Sequence, residues 1–391
     1  MADSMNELFY RDPYAKTFEA TVTACEEGPK GFEVVLDDTA FYPEGGGQLA
    51  DHGKIGDAVV SDTRRTGGRI VHYCDKPVEV GAKVLCVLDW DRRYDNMQNH
   101  TGEHIFSGLV HQKFGFDNAG FHMDDDLITC DFSGVMTKEE VAEIERLAND
   151  AITANIPVGV LFPTADELQA MNYRSKKELT GQVRIVDVPG CDRCACCGTH
   201  VKTSGEVGMI KVLSSAKHRG GTRVEFVCGL RALRDYERRI VEVQKVSALL
   251  SAKPFEIGAA VEKTLADLAA RDQKINELTK KIFEIKSQFM PSGLKTVVLF
   301  EEGLTPLELR SYATLLSEKG QGKVVAVLSA TAADTWSYVI VGPADVMRDA
   351  SRELNKKLSG RGGGSNGTVQ GSFKADAETI RSVIEDQFAA L

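Results

Sequence analysis

Two short motifs, far apart in the chain, constrain its fold more than anything else in it. His100-Thr101-Gly102-Glu103-His104 and Cys196-Cys197-Gly198-Thr199-His200 each place two metal-seeking side chains four residues apart, with residues 105–195 between them. The first motif lies in a stretch that reads as helix. Residues four apart on a helix share a face and rise about 6 Å, so two imidazoles there can reach one ion. The second motif reads as a turn that offers a thiolate and an imidazole. Together His100, His104, Cys196 and His200 are four borderline-soft donors, a set suited to tetrahedral Zn2+. Neither pair is specific alone, because two histidines four apart are often unrelated surface residues. If both pairs serve one ion, the chain must fold so that they meet.

Two other metal readings compete. His-x-x-Glu-His is also the inverted zincin signature, in which the glutamate is the general base of a peptidase. That scheme has no place for Cys196-x-x-x-His200. Alternatively, Cys191-x-x-Cys194 with Cys196 or Cys197 and His200 could close a local structural knuckle. No second Cys-x-x-Cys follows it, and Cys228 stands by itself after a strand. Cys191, Cys194 and Cys197 are read as spare thiols near the site. His111, roughly 10 Å along the helix from His104, reads as an ordinary surface histidine.

The thiols also bear on compartment. The chain has nine cysteines, an odd number, with four between Cys191 and Cys197. That density points to reduced thiols and metal, not to a disulfide framework. Met1 to Arg11 is polar with no apolar secretory core, and no stretch approaches ~18 uninterrupted apolar residues. A cytoplasmic protein with no membrane segment is the expectation. The net charge of −10, from 47 basic and 57 acidic residues, argues against a wholesale nucleic-acid coat. It leaves room for a local basic surface on an acidic body.

Along the chain, residues 1 to about 90 read as short strands at Phe18 to Thr23, Gly31 to Leu36, Arg69 to Tyr73 and Lys83 to Leu88, a small barrel or sandwich. An unusual loop, Thr39 to Gln48, sits between two of them. Asp91 to about Phe114 and Lys138 to Asn155 read as helices, the latter with a capping box of Thr137 and Glu140. Val183 to Val188, Val207 to Leu213 and Thr222 to Val227 read as strands, so the middle block is α+β. Leu230 to about Ser251 and Phe255 to Phe289 are long helical patterns broken by Pro254. In the second, Val261, Leu265, Leu268, Ile275, Leu278, Ile282, Ile285 and Phe289 fall at spacings of three, four and seven, as in a hairpin or coiled-coil arm. Past Pro291, strands at Thr296 to Phe300, Val324 to Ser329 and Tyr338 to Val341 alternate with helices at Pro306 to Lys319 and Ala344 to Leu358. This small α/β domain includes the Gly-rich loop Gly360 to Gly367.

The combination of Phe41-Tyr42-Pro43-Glu44-Gly45-Gly46-Gly47-Gln48, His100-x-x-x-His104 and Cys196-x-x-x-His200 resembles the editing module of alanyl-tRNA synthetase. It resembles the free-standing alanyl-tRNA editing proteins of the AlaX family still more closely, since no aminoacylation domain precedes it. The arm and Gly-rich domain look like the tail of alanyl-tRNA synthetase, a domain also found behind DHH-type phosphoesterases, which points to the long form of AlaX. The resemblance implies an α+β multidomain protein. Its parts would be an N-terminal β-barrel with the Gly-rich loop at 1–90 and a zinc-dependent editing domain at 91–235. A helical hairpin or coiled-coil arm would occupy 236–290, and a C-terminal α/β domain for tRNA binding or oligomerisation 291–391.

By position, the resemblance makes His100, His104, Cys196 and His200 the zinc ligands. It puts Thr39 and Gln48 where the pocket meets the hydroxyl of a misattached serine, and Gly45, Gly46 and Gly47 where the backbone approaches the terminal adenosine. Cys197 stands where the synthetases usually have glycine; a positive φ there would strain the turn. The implied activity is ATP-independent hydrolysis of the aminoacyl ester of tRNA(Ala) mischarged with serine or glycine, a translation-fidelity function. Glu103, next to His104, is a candidate base or support; the bland reading is a solvated helix-face acid.

Alanine is smaller than serine, so size cannot exclude it. The pocket must favour the hydroxyl through polar groups that go unpaired with the wrong ligand. Between Lys217 and Arg239 there are seven Lys or Arg against three acids, and between Arg352 and Arg361 four against one. Lys217, Arg219, Arg223 and Arg361 are the candidate tRNA contacts. The arm offers a seam for a homodimer. The rival of another class is a non-catalytic tRNA-binding module with structural zinc.

Overall fold

Alternating apolar residues between tight turns close the N-terminal segment into a barrel. After a one-turn helix α1 (Leu8–Arg11) come β1 (Thr17–Gly28), β2 (Gly31–Leu36), β3 (Gly53–Ile55), β4 (Ala58–Thr66), β5 (Arg69–Cys74) and β6 (Lys83–Leu88). The order is β1-β2-β5-β4-β3-β6, closed by antiparallel pairing of β1 with β6. Val22, Val34, Leu36, Ile55, Val60, Cys74 and Cys86 fill its core. This computed structural model describes residues 6–175 and 182–391. The start of the polar N-terminal stretch and residues 176–181 of the middle block lie outside the described residues. Strands β3 and β4 go unread in the sequence: the first is three residues long, and the second ends in the polar run Ser61 to Thr66.

The middle block follows. Helix α2 (Trp90–Phe114) is capped by Asp89, whose carboxylate accepts from the Arg92 N–H, and ends at Gly115 with φ 70°. Next come β7 (Asn118–Met123), β8 (Ile128–Phe132) and α3 (Lys138–Thr153), the last with the Thr137–Glu140 capping box that its sequence predicts. Then β9 (Gly159–Leu161), α4 (Ala165–Ala170), β10 (Ile185–Val188), β11 (Asp192–Ala195), β12 (Ile210–His218) and β13 (Gly221–Cys228) complete two sheets. These run β12-β13-β8-β7 and β11-β10-β9. Val207, expected in a strand, ends a 3-10 turn instead. Helices α2 and α3 pack on the four-stranded sheet, with Ile105, Phe106, Val110, Val141 and Ile144 against Ile128, Phe132, Val224 and Phe226.

Residues 95–108 of α2 are buried on every side. A helix sunk all round among other elements must find a partner for each polar side chain it carries. Arg93 ties its start to the barrel. The Arg93 guanidinium, fully buried, donates to Asp51 (Nε to Oδ2, 2.8 Å), to the Pro13 carbonyl (2.8 Å) and to the Ala40 carbonyl. Asp51 in turn accepts from the Tyr42 N–H (2.7 Å), so the same pair fixes the Gly-rich loop.

Helix α5 (Gly229–Leu250), the 3-10 turn Pro254–Glu256 and α6 (Ile257–Gln288) come next, with the break at Pro254 as expected. The chain divides into two compact units, Met1–Lys245 and Val246–Leu391. The second is built on β14 (Leu294–Glu301), α7 (Pro306–Glu318), β15 (Gly322–Ala332), β16 (Thr335–Val341), α8 (Ala344–Lys357), β17 (Arg361–Ser365), β18 (Thr368–Lys374) and α9 (Ala377–Gln387). Its sheet runs β14-β15-β16-β18-β17, with the first pair parallel and the rest antiparallel. Period-2 alternation puts Val297, Val325, Val327 and Val339 under α7, and Val298, Val324, Ala326, Leu328 and Ile340 under α8 and α9. The Gly-rich segment is not a loop. Arg361 to Ser365 pairs with β18 as the edge strand, where Gly364 lies against the Thr368 backbone with no room for a side chain. Among the described residues no helix is long and apolar enough to cross a membrane.

Candidate metal centre

The two motifs meet. His100 and His104 come from α2, and Cys196 and His200 from the turn after β11. One ligand atom from each lies within 4.8 Å of every other. The Cys196 Sγ is 3.4 Å from His100 Nε2 and 3.5 Å from His200 Nε2. A tetrahedron with bonds of about 2.05 Å to nitrogen and about 2.3 Å to sulfur has an N–S edge of about 3.5 Å. The donor set and its spacing fit zinc.

Each imidazole is also held from behind. His100 Nδ1 lies 2.9 Å from Gln48 Oε1, His104 Nδ1 2.9 Å from Asp192 Oδ2, and His200 Nδ1 3.1 Å from Thr101 Oγ1. Nδ1–H donation to these oxygens frees every Nε2 to face the ion and fixes the ring planes. Arg174 completes one arm with two bonds to Asp192, at 2.7 and 2.9 Å. Sequence reasoning missed Asp192, Arg174 and Thr101. Thr101 sits beside a ligand in sequence, whereas nothing local to Arg174 marks it. Cys194 groups with His104 and Asp192 as a second cluster. Both Asp192 oxygens already serve His104 and Arg174, so this cluster supports the first centre. Cys191, like Cys194, is buried with a free thiol.

The electrostatics follow from this crowding. Burial pushes the Cys196 thiol up, but His100 and His104 outweigh it and hold the thiol well below its usual range. Burial pushes His200 down to about 3, with His100 adding to the effect. Burial works against ionised Asp192, yet His104 and Arg174 keep the carboxyl below the usual range.

The Gly-rich loop lies against this centre. The Gln48 side chain, fully buried, spans both motifs: its carbonyl accepts from His100 and from the Thr199 N–H (2.9 Å), and its amide donates to Thr199 Oγ1 (2.8 Å). Gly47, at φ 86°, would drive a Cβ to 2.2 Å from the Phe121 ring, which stacks on His100 at 5.4 Å. Gly46 also has positive φ, and Gly45 accepts at its carbonyl from the Tyr42 hydroxyl. Gly198 is a packing glycine whose Cβ would strike the His100 ring at 2.1 Å. Cys197 is exposed and has no positive φ, so the turn carries no left-handed strain there.

The Thr39 hydroxyl lies 2.9 Å from His72 Nε2 and accepts from the Phe41 N–H. Because His72 Nδ1 donates to the Val34 carbonyl, its Nε2 accepts from Thr39. Glu103 is no solvated acid. It is 1% exposed, takes bonds from Ser107 (2.8 Å) and Asn118 (2.6 Å), and its Oε2 lies 4.0 Å from His104 Nε2. The inverted zincin arrangement has no place for Cys196 and His200, which here join His100 and His104 in one donor set.

Several members of the basic run beyond the site are held by carboxylates, though only Arg231 of the seven is buried. Arg231 is buried on Asp95 (2.6 Å), Arg234 reaches the same carboxylate, Arg223 pairs twice with Asp131 at 2.7 Å, and Arg239 pairs with Asp235. Only Arg231 leaves the surface; Arg234, Arg238 and Arg239 stay exposed. Lys217 and Arg219 remain exposed at the β12–β13 hairpin, and Arg361 on the edge strand of the second unit.

A family model described as tRNA synthetases class II (A) matches residues 9–92, and one described as Threonyl and Alanyl tRNA synthetase second additional domain matches residues 183–225. The chain is 29% identical to the Alanyl-tRNA editing protein AlaX-L of Pyrococcus horikoshii, over 97% of each chain. It is 29% identical to the Alanyl-tRNA editing protein Aarsd1-B of Xenopus laevis, over 96% of this chain and 95% of that one. It is 32% identical to an alanine–tRNA ligase of Pyrobaculum arsenaticum, over 96% of this chain and 43% of that protein. Among solved structures, the C-Ala domain from Aquifex aeolicus alanyl-tRNA synthetase matches 25% of this chain and 95% of that one, at 24% identity and a TM-score of 0.22, too low to support any reading.

Proposed function

We propose that this chain, which resembles alanyl-tRNA editing proteins along nearly its whole length, is a zinc-dependent trans-editing hydrolase. It frees tRNA(Ala) from misattached serine, and from glycine, in the cytoplasm. The observation that carries the reading is the meeting of His100, His104, Cys196 and His200 beneath the Gly-rich loop. An aminoacyl ester is already activated, so the site needs mainly to hold it and to handle protons. Zinc, when bound, would supply positive charge beside the ester and, by taking a fifth ligand, polarisation of its carbonyl. The backbone of Gly45, Gly46 and Gly47 admits the terminal adenosine closely. Glu103, held by Ser107 and Asn118, is the proposed group that takes the proton from the attacking water. Gln48 is the proposed hydroxyl reader at the centre, and Thr39 acts behind it by holding the start of the loop.

Residues 1–90 and 91–235 form the editing body in this reading, 236–290 the arm, and 291–391 a domain for tRNA or for a second copy. Lys217, Arg219 and Arg361 offer the phosphate contacts, with Arg223 positioning the hairpin through Asp131. The exposed apolar stripe of α6 offers the homodimer seam. Deacylation of tRNA(Ala) mischarged with serine is the test. Wild type should release serine well above the spontaneous rate, and His104→Ala or Cys196→Ala should not. Wild type leaving the ester at the spontaneous rate would remove the enzyme reading. The four-donor set would also suit the alternative of a tRNA-binding module with structural zinc; that module would bind tRNA but leave the ester intact.

A further inference from the structure

The turn that carries Cys196 and His200 has no sheet or helix to satisfy its backbone. Unpaired carbonyls in a buried turn would cost stability and leave the ligands loosely aimed. Two distant side chains serve them. Arg184 Nη1 donates to the carbonyls of Cys196 (2.8 Å) and Gly198 (2.9 Å), and the Tyr10 hydroxyl donates to the carbonyl of Cys197 (2.9 Å). The Cys196 N–H returns a bond to the Arg184 carbonyl at 3.1 Å. Three successive carbonyls are thus pinned, and the clamp closes on itself because the Arg184 guanidinium lies 5.1 Å over the Tyr10 ring.

Arg184 occupies this place at a cost. The residue is 4% exposed, no carboxylate among the described residues lies within ion-pair distance of it, and its Nε is buried without a hydrogen-bond partner. A buried guanidinium with an orphan N–H is costly to a fold. Its geometry serves the ligating turn instead.

We propose that Arg184 and Tyr10 are positioning residues for the metal centre, a clamp that sets the conformation of Cys196-x-x-x-His200 so that thiolate and imidazole face the helical histidines. This rests on the reading of those four residues as metal ligands. Outer partners of metal ligands are worth about 10–100-fold in affinity. Zinc affinity by competition with a chromophoric chelator, and the visible absorption of the Co2+-substituted full chain, report the clamp independently of catalysis.

Arg184→Met should bind zinc at least tenfold more weakly, with an altered Co2+ spectrum, while far-UV circular dichroism of the metal-free chain stays that of wild type. Tyr10→Phe, which keeps the ring and loses the hydroxyl, should weaken zinc several-fold. Arg184→Lys, which keeps a donor but is shorter and has no flat group over Tyr10, should fall between wild type and Arg184→Met. If Arg184→Met does not fold, the other two variants decide. Wild-type zinc affinity and an unchanged Co2+ spectrum in the folded variants would overturn the clamp alone. A wild-type chain that takes up no metal would overturn the clamp and the zinc reading together.

Discussion

His72 is fully buried, with one ring nitrogen donating to the Val34 carbonyl and the other accepting from Thr39. Burial pushes it down to about 4 from an ordinary 6.5. The unfolded chain therefore binds a proton below pH 6.5 that the folded chain refuses until about pH 4. Stability is lost as pH falls through that window, by about 3 kcal/mol in all. Urea unfolding of the metal-free chain at pH 7 and pH 4.5 should show most of that loss in wild type and much less of it in His72→Gln. Equal loss in both would refute the assignment. At the metal centre, Asp192 orients His104 and is itself held by Arg174. Asp192→Asn should weaken zinc about 10–100-fold by chelator competition while far-UV circular dichroism stays that of wild type. Unchanged affinity would show that His104 needs no support from behind.

Among the elements, α2 shows what was legible and what was not. Its helical character, the His100–His104 spacing and its Gly115 end are all written locally. Its burial is not: Asn96, Gln98, Asn99, Thr101, Glu103 and Ser107 are polar residues spread around the helix, and only elements from far along the chain cover them. The same division explains the misreadings. Strand β17 looks like a loop because Gly362, Gly363 and Gly364 carry no side-chain pattern, and a ladder partner, β18, makes it a strand. Arg231 looks like a solvent cation until Asp95 of α2 is beside it. The four ligands were legible because metal chemistry restricts residue type and spacing. Their outer partners were not, because a hydrogen bond to Nδ1 can come from Gln, Asp or Thr anywhere. The turn after β11 makes a sharp prediction of its own. Gly198→Ala puts a methyl into the His100 ring, and the overpacking should cost about 1–3 kcal/mol. Its outlet is movement of the ring, so the variant should lose zinc while its barrel keeps native near-UV signals from Phe41 and Tyr42. A zinc-replete Gly198→Ala with wild-type affinity would contradict the close packing.

For the whole molecule, an acidic chain must present tRNA with a few well-placed cations. Lys217 and Arg219 are exposed on one hairpin, so Lys217→Ala with Arg219→Ala should reduce the slope of log kcat/KM against log salt by about 1.5. An unchanged slope would move the tRNA path elsewhere. Assembly is argued from α6. Val261, Leu265, Leu268, Ile275, Leu278, Ile282 and Ile285 are each more than a third exposed, with Ile275 at 57% and Ile282 at 52%. Their spacings of three, four and seven residues are those of a helix seam, and a seam read from one sequence is complementary to a second copy of itself. Burying two isoleucines from each of two chains contributes about 6 kcal/mol, at about 1.5 kcal/mol each. Ile275→Lys with Ile282→Lys should therefore turn a wild-type dimer into a monomer in sedimentation velocity at micromolar concentration. The melting of the second unit should change little, since neither side chain is in its core. A wild-type chain that sediments as a monomer at tens of micromolar would leave the stripe without the second copy proposed for it.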